Sequence, residues 1–202
     1  MKLKLDMTGV IVLSAWNKAR KAVFEWIQMI ALSVILAIFI NLFIVQPVRV
    51  EGESMKPTLQ DNDFVIVSRI GKTLNLDLKY GDIVVIDRRI DRKRSILDDI
   101  RDLGIFNRMQ NRNLLIKRVI GLPGDTIEIR EGSLFRNGEL LEEPYLLEQN
   151  MYGQASYQVP EDHVFVLGDN RNNSMDSRVI GFIPIDNIKG TMVLDVSKLL
   201  RQ

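Results

Sequence analysis

The chain has 202 residues, with 27 Lys and Arg against 26 Asp and Glu, for a formal net charge of +1. That length suits one anchor plus one compact domain, and the near-neutral balance provides no global field to attract nucleic acid. Cysteine is absent and His163 is the only histidine, which excludes disulfides, thiol chemistry and Cys- or multi-His metal centres, so no metal or other cofactor is expected.

The first element in chain order is apolar. Trp26 to Val45 carries no charge and reads WIQMIALSVILAIFINLFIV. About 20 apolar residues in a helix span a bilayer core, and Gln28, Ser33 and Asn41 are tolerable because a helix satisfies its own backbone. A cleavable leader has a shorter apolar core followed by small residues, and Gln46-Pro47-Val48-Arg49 is not such a site. A retained transmembrane helix over 25–46 is therefore expected. Lys2, Lys4, Lys18, Arg20 and Lys21 precede it, against Asp6 and Glu25. The positive-inside rule puts residues 1–24 in the cytoplasm and residues 47–202 beyond the membrane. Val10 to Val23 reads either as a short amphipathic helix on the inner leaflet or as a plain lead-in.

After residue 47 the pattern changes to short β-type runs. Phe64-Val65-Ile66-Val67, Ile83-Val84-Val85-Ile86 and Leu114 to Ile120 each border turn residues. Thr126-Ile127-Glu128-Ile129-Arg130 alternates strictly, Leu134-Phe135-Arg136 leads into the hairpin signal Asn137-Gly138, and His163 to Leu167 stops at Gly168-Asp169-Asn170. Short strands at this spacing predict a mainly β, barrel-like antiparallel domain over 47–202. Between two strands, residues 88–112 form a charged insertion with eight basic residues and four acids. Ile96, Ile100, Leu103 and Phe106 fall near helical spacing there. The segment reads as a solvated excursion or as a contact for anionic lipid headgroups.

Two residues suggest chemistry. Ser54 lies nine residues beyond Val45 in Gly52-Glu53-Ser54-Met55-Lys56-Pro57-Thr58-Leu59. A serine hydroxyl needs a base to become a nucleophile, and a lysine can serve if burial keeps it neutral. Lys117 interrupts the apolar strand Leu114-Leu115-Ile116-Lys117-Arg118-Val119-Ile120. Alternation puts Lys117 and Arg118 on opposite faces, so one of the two cations faces inward.

Three stretches resemble the boxes of bacterial type I signal peptidases. The Ser54 stretch is similar to their Ser-Met-x-Pro-Thr-Leu box. Lys117-Arg118-Val119-Ile120-Gly121-Leu122-Pro123-Gly124-Asp125 is similar to Lys-Arg-x-x-Gly-x-Pro-Gly-Asp. Gly168-Asp169-Asn170-Arg171-Asn172-Asn173-Ser174-Met175-Asp176-Ser177-Arg178 is similar to Gly-Asp-Asn-Arg-x-x-Ser-x-Asp-Ser-Arg. Tyr80-Gly81-Asp82-Ile83-Val84 matches a shorter connecting motif, and the order after an N-terminal anchor is the family's.

The resemblance implies a membrane-bound serine endopeptidase that removes signal peptides from exported preproteins, cutting after Ala-x-Ala-like sites. It implies Ser54 as nucleophile, Lys117 as general base, Ser174 as the residue that hydrogen-bonds and orients the lysine, and Asp176 with Arg178 as a brace. The Ser54 amide is one oxyanion donor. Some members add a serine hydroxyl two residues earlier; this chain has Gly52 there, and its backbone or a water is expected instead. Val48, Val50, Met55, Leu59, Leu115 and Ile116 align with the family's pocket positions for small side chains. The implied partners are signal peptides and the lipid bilayer, with no nucleic acid, in a monomer held in the cell membrane by a single pass.

Other readings remain at this stage. His163 is either a structural residue at a strand start or a base for Ser54, as in the endoplasmic-reticulum relatives. A self-cleaving repressor-type Ser-Lys protease would carry a DNA-binding domain in place of the membrane helix. A membrane-anchored module that binds signal peptides without cutting them would not need both Ser54 and Lys117.

Overall fold

The computed structural model describes residues 7–73, 78–92, 95, 98, 113–146, 151 and 153–201, with backbone alone for 7–15, 72 and 73. Helix α1 runs from Met7 to Phe43, 37 residues without a break. Its part Trp16–Phe43, 28 residues, is long and apolar enough to cross a membrane, and none of that window is buried within the chain. The Val10–Val23 stretch belongs to this helix and is not a separate element. The helix ends before Val45 although the charge-free run continues, because Pro47 disfavours helical geometry at the residue ahead of it.

The chain divides into two compact units, the first ending at Ile40 and the second covering Asn41–Gln202. The second unit is mainly antiparallel β. Its strands are β1 (Val45–Arg49), β2 (Phe64–Ser68), β3 (Ile83–Asp87), β4 (Leu114–Gly121), β5 (Thr126–Arg130), β6 (Ser133–Arg136), β7 (Glu139–Leu140), β8 (Ala155–Gln158), β9 (His163–Leu167), β10 (Ile183–Pro184) and β11 (Ile188–Asp195). Among the described residues, the short helices α2 (Ile70–Thr73), α3 (Ser177–Ile180) and α4 (Val196–Leu200) and a 3-10 turn at Ile185–Asn187 lie between or after them.

Seven strands form one sheet in the order β1-β2-β11-β3-β4-β9-β10, and four form a second in the order β7-β6-β5-β8. The larger sheet is open, with β1 and β10 at its edges, which makes the expected barrel a half-barrel. Asn137 and Gly138 both have positive φ, 54° and 82°, as a two-residue hairpin between β6 and β7 requires.

Alternation sorts the core. Ile83 and Val85 of β3 join Val50, Met55, Leu59, Val65 and Val67 in one cluster. Val84 and Ile86 join Val119, Val164, Val166, Ile183 and Ile188 in another. All five residues of β3 are buried, as expected of a strand covered on both faces. A third cluster joins the sheets: Ile127, Ile129 and Leu134 of the smaller pack with Ile120, Phe165 and Leu167 of the larger.

Of the charged insertion, Arg92 grips Asp98 with two hydrogen bonds of 2.9 and 2.8 Å. The amphipathic helix expected through Ile96, Ile100, Leu103 and Phe106 lies outside the described residues.

Candidate active site

Ser54 sits on the connection between β1 and β2. The ladder continues past β1 through Val50 N–H to Asp63 O at 2.7 Å and Asn62 N–H to Val50 O at 2.9 Å. The loop is then pinned from below by Met55 and Leu59, each 1% exposed. A turn closed by Lys56 N–H on Glu53 O at 3.1 Å holds Ser54 just ahead of the Met55 anchor.

Lys117 lies on β4, registered with Val84 of β3. Its side chain is 1% exposed. Nζ lies 2.8 Å from Ser54 Oγ and donates to Ile116 O at 2.8 Å. Burial lowers its pKa from 10.5 to about 8, with the more distant Asp176 and Asp169 carboxylates pulling it upward. The neighbouring cation meets burial differently. Arg118 leaves β4 on the opposite face and is paired to Asp169 through Nε at 2.8 Å and Nη2 at 2.6 Å. It also donates to Gly81 O at 3.0 Å and stacks 3.9 Å from the Tyr145 ring centroid. Thr58 Oγ1 completes that pair by donating to Asp169 at 2.5 Å. One cation is thus neutralised by a partner, and the other stands against an uncharged hydroxyl and a carbonyl.

The third box supplies the wall. Gly168 packs so closely that a Cβ there would lie 2.2 Å from Ser174 Oγ and 2.5 Å from Ser54 O. Its N–H donates to Asp176 Oδ2 at 3.0 Å and its carbonyl accepts from Arg171 Nε at 3.1 Å. Asp176 is 0% exposed and takes two bonds of 2.8 Å from Arg178, whose Nη2 also donates to Arg171 O at 2.6 Å. Asn170 N–H donates to Ser54 O at 3.0 Å, and its side-chain Nδ2 donates to Glu53 O at 3.2 Å.

Two of the expected contacts are not made in this structure. The Ser174 hydroxyl makes no hydrogen bond to Lys117; it is buried without a partner among the described residues, because Lys117 Nζ is directed to Ser54 and Ile116. The Gly52 N–H donates to Asp61 Oδ1 at 2.8 Å, so it is committed and not free to receive an oxyanion. Glycine stands there because φ is +84°, a conformation that L side chains avoid.

The six pocket candidates separate. Val50, Met55 and Leu59 are at most 2% exposed and fill the core, with Val48 and Ile116 half-buried against the same cluster. Leu115 packs with the cluster on the other face of the sheet. His163 begins β9, pairs in register with Pro184, and lies 2.8 Å through Nδ1 from Glu161 O. The opposite end of β9 leads to Gly168, so His163 stands a full strand length away from the serine wall.

Sequence reasoning passed over Asp169, Asn170, Arg171 and Glu143. Glu143, before Tyr145, forms a buried ion pair with Arg171, with one contact of 2.8 Å from Nη1 to Oε2. Met151 Sδ lies 3.4 Å from the same guanidinium. The available signal was an unbroken polar run, Gly168 to Asn173, following an apolar strand.

This constellation can transfer an acyl group: a hydroxyl, a base held at 2.8 Å from it, and a carboxylate–guanidinium frame around them. The sequence matches the family described as "Signal peptidase, peptidase S26" over residues 23–196. It is 39% identical over 180 residues to the signal peptidase I of Leptolyngbya laminosa, covering 88% of this chain and 81% of that one. It is 35% identical over 184 residues to the signal peptidase I of Bacillus licheniformis, covering 85% and 87%. A crystal structure of a signal peptidase I from Enterococcus faecalis aligns with 58% of this chain and 97% of its own, at 29% identity and a TM-score of 0.44. The chain belongs to the signal peptidase family, peptidase S26.

Proposed function

We propose that this signal peptidase removes signal peptides from exported preproteins through a Ser54–Lys117 dyad, cutting after small residues of the Ala-x-Ala kind. The observation that carries the reading is the 2.8 Å approach of Ser54 Oγ to a lysine that is buried without a carboxylate partner. With its pKa lowered to about 8, an appreciable share of Lys117 is neutral near physiological pH.

Neutral Lys117 takes the Ser54 proton as Oγ bonds to the scissile carbonyl carbon. The carbonyl electrons move to oxygen, and the Ser54 N–H, which makes no hydrogen bond among the described residues, is the donor for that oxyanion. The C–N bond then breaks, and the Lys117 ammonium gives its proton to the leaving amine. Ile116 O is the acceptor for one of the remaining ammonium protons. Water adds to the acyl-enzyme, Lys117 takes its proton, and collapse returns that proton to Ser54.

Residues 25–46 serve as the membrane anchor, with residues 1–24 cytoplasmic by the positive-inside rule and 47–202 as the catalytic domain on the other side. The enzyme works as a monomer at the bilayer of the cell membrane. The half-buried Val48 and Ile116 are the candidates for contact with small substrate side chains.

The test is cleavage of a synthetic Ala-x-Ala peptide by purified protein in detergent. Ser54→Ala and Lys117→Ala each lose at least a thousandfold in kcat/KM, and the wild-type rate rises with pH to a midpoint near about 8. Retained cleavage in either variant would remove the dyad.

A further inference from the structure

We infer that Asn170 is a positioning residue for oxyanion stabilisation, acting through the peptide bond between Glu53 and Ser54. The inference rests on the proposed role of Ser54. Asn170 reaches the nucleophile loop twice. Its backbone N–H donates to Ser54 O at 3.0 Å and its carboxamide Nδ2 donates to Glu53 O at 3.2 Å. Those two carbonyls belong to consecutive peptide groups, the ones on either side of the Ser54 Cα. Both groups are therefore fixed by one residue 117 positions away in the chain.

The consequence follows from amide geometry. Among the peptide bonds described, cis geometry occurs at Lys56-Pro57, so the Glu53–Ser54 bond is trans. In a planar trans peptide the N–H points opposite to the C=O. Holding Glu53 O therefore aims the Ser54 N–H, the free donor proposed for the oxyanion. A hydrogen bond to a carbonyl also polarises the amide and makes its N–H a stronger donor. Lys56 N–H, at 3.1 Å, is a second donor to the same oxygen. The Gly52 N–H is held by Asp61 at 2.8 Å, which leaves the polarised Ser54 amide to carry oxyanion stabilisation on this side.

Asn170 is itself rigidly placed. Asp169 before it is locked by Arg118 and Thr58, and Arg171 after it by Glu143. Removing the carboxamide leaves the backbone bond to Ser54 O intact. The side chain thus acts on direction and polarity, while the backbone keeps the loop docked.

The experiment compares full-length wild type, Asn170→Ala and Asn170→Asp in detergent micelles, with Ser54→Ala as control. Four quantities are read: kcat and KM on an Ala-x-Ala peptide, the pH midpoint, the inhibition constant of a peptide aldehyde of the same sequence, and the melting temperature. The aldehyde adds to Ser54 Oγ, its carbonyl becoming the tetrahedral oxygen as the serine proton passes to Lys117. Asn170→Ala lowers kcat about tenfold with KM unchanged, because an oxyanion donor is weakened and not deleted. Aldehyde affinity falls by the same factor, while the pH midpoint and melting temperature stay at wild-type values. Asn170→Asp, of equal shape but lacking the donor, falls further than Ala because its carboxylate faces the Glu53 carbonyl. The inference is overturned if aldehyde affinity is unchanged while kcat falls, if the pH midpoint moves with activity, or if Asp matches wild type. An active Ser54→Ala control would instead overturn the dyad.

Discussion

A lysine buried inside a β-domain should burden the fold while it is charged, and Lys117→Met measures that burden. The folded pKa is about 8 against an ordinary 10.5, a difference worth about 3 kcal/mol. Below about pH 8 both folded and unfolded chains hold the proton, and the folded state bears the full cost of a buried ammonium. Between about 8 and 10.5 the folded chain has released the proton and the unfolded chain still binds it, so stability rises with pH. Above 10.5 neither form is charged and the cost is gone. Methionine fills the space without a charge but forfeits the 2.8 Å bonds to Ile116 O and Ser54 Oγ, about 1 kcal/mol each. Near neutral pH the variant is therefore more stable by about 1 kcal/mol, roughly 2–4 °C in melting temperature for a chain of this size. The advantage disappears and reverses by about pH 10.5. Thermal unfolding of both proteins in the same detergent, at intervals from neutral to alkaline pH, reads the gap directly. The two lost hydrogen bonds contribute about equally at every pH, so only the slope reports the lysine. A gap that stays constant across the range would show that Lys117 is hydrated in the fold and would refute the physical basis of the base assignment.

Two further outcomes are expected. Gly168→Ala puts a methyl 2.5 Å from the Ser54 carbonyl oxygen and 2.2 Å from Ser174 Oγ, and the backbone cannot yield without moving Ser54. With Ser54 as the proposed nucleophile, peptide cleavage should fall at least a hundredfold, since displacement of about 1 Å at a reacting group has that effect. Glu143→Ala strands a guanidinium that is 1% exposed. It should lower stability by about 3–5 kcal/mol, and a Glu143→Ala/Arg171→Ala double variant should lose less than the sum of the singles in denaturant unfolding.

The strands with clean patterns were legible in sequence. Phe64–Val67, Ile83–Ile86, Thr126–Arg130 and the Asn137-Gly138 turn all recur in the structure within a residue or so. Strand β1 was hidden because Val45 and Ile44 continue an apolar run, and apolarity alone does not mark where a helix ends. Its Pro47 is tolerated because β1 is an edge strand. Strand β11 was hidden for the opposite reason. Lys189 and Gly190 look like a turn, yet Lys189 is 1% exposed and a Cβ on Gly190 would sit 2.3 Å from Ser68 O. At the site, two adjacent cations in an apolar strand were visible, but alternation left open which of them faces inward; Lys117 is 1% exposed, and Arg118 is largely buried against Asp169. The roles of Arg118, Glu143 and Asn170 were not visible, because their partners lie 51, 28 and 117 positions away. Only the fold determines such pairings, and the committed Gly52 N–H is of the same kind.

Strand β11 lies between β2 and β3 although it is the last strand in the chain. The serine loop follows β1, the lysine is on β4, and the Gly168 wall comes after β9, yet the sheet joining these pieces has a gap until residues 188–195 arrive. During synthesis Ser54 and Lys117 are both made before β11. A chain still being made thus holds these two residues without a continuous sheet between β2 and β3. Their 2.8 Å approach therefore depends on a strand that follows both of them in sequence.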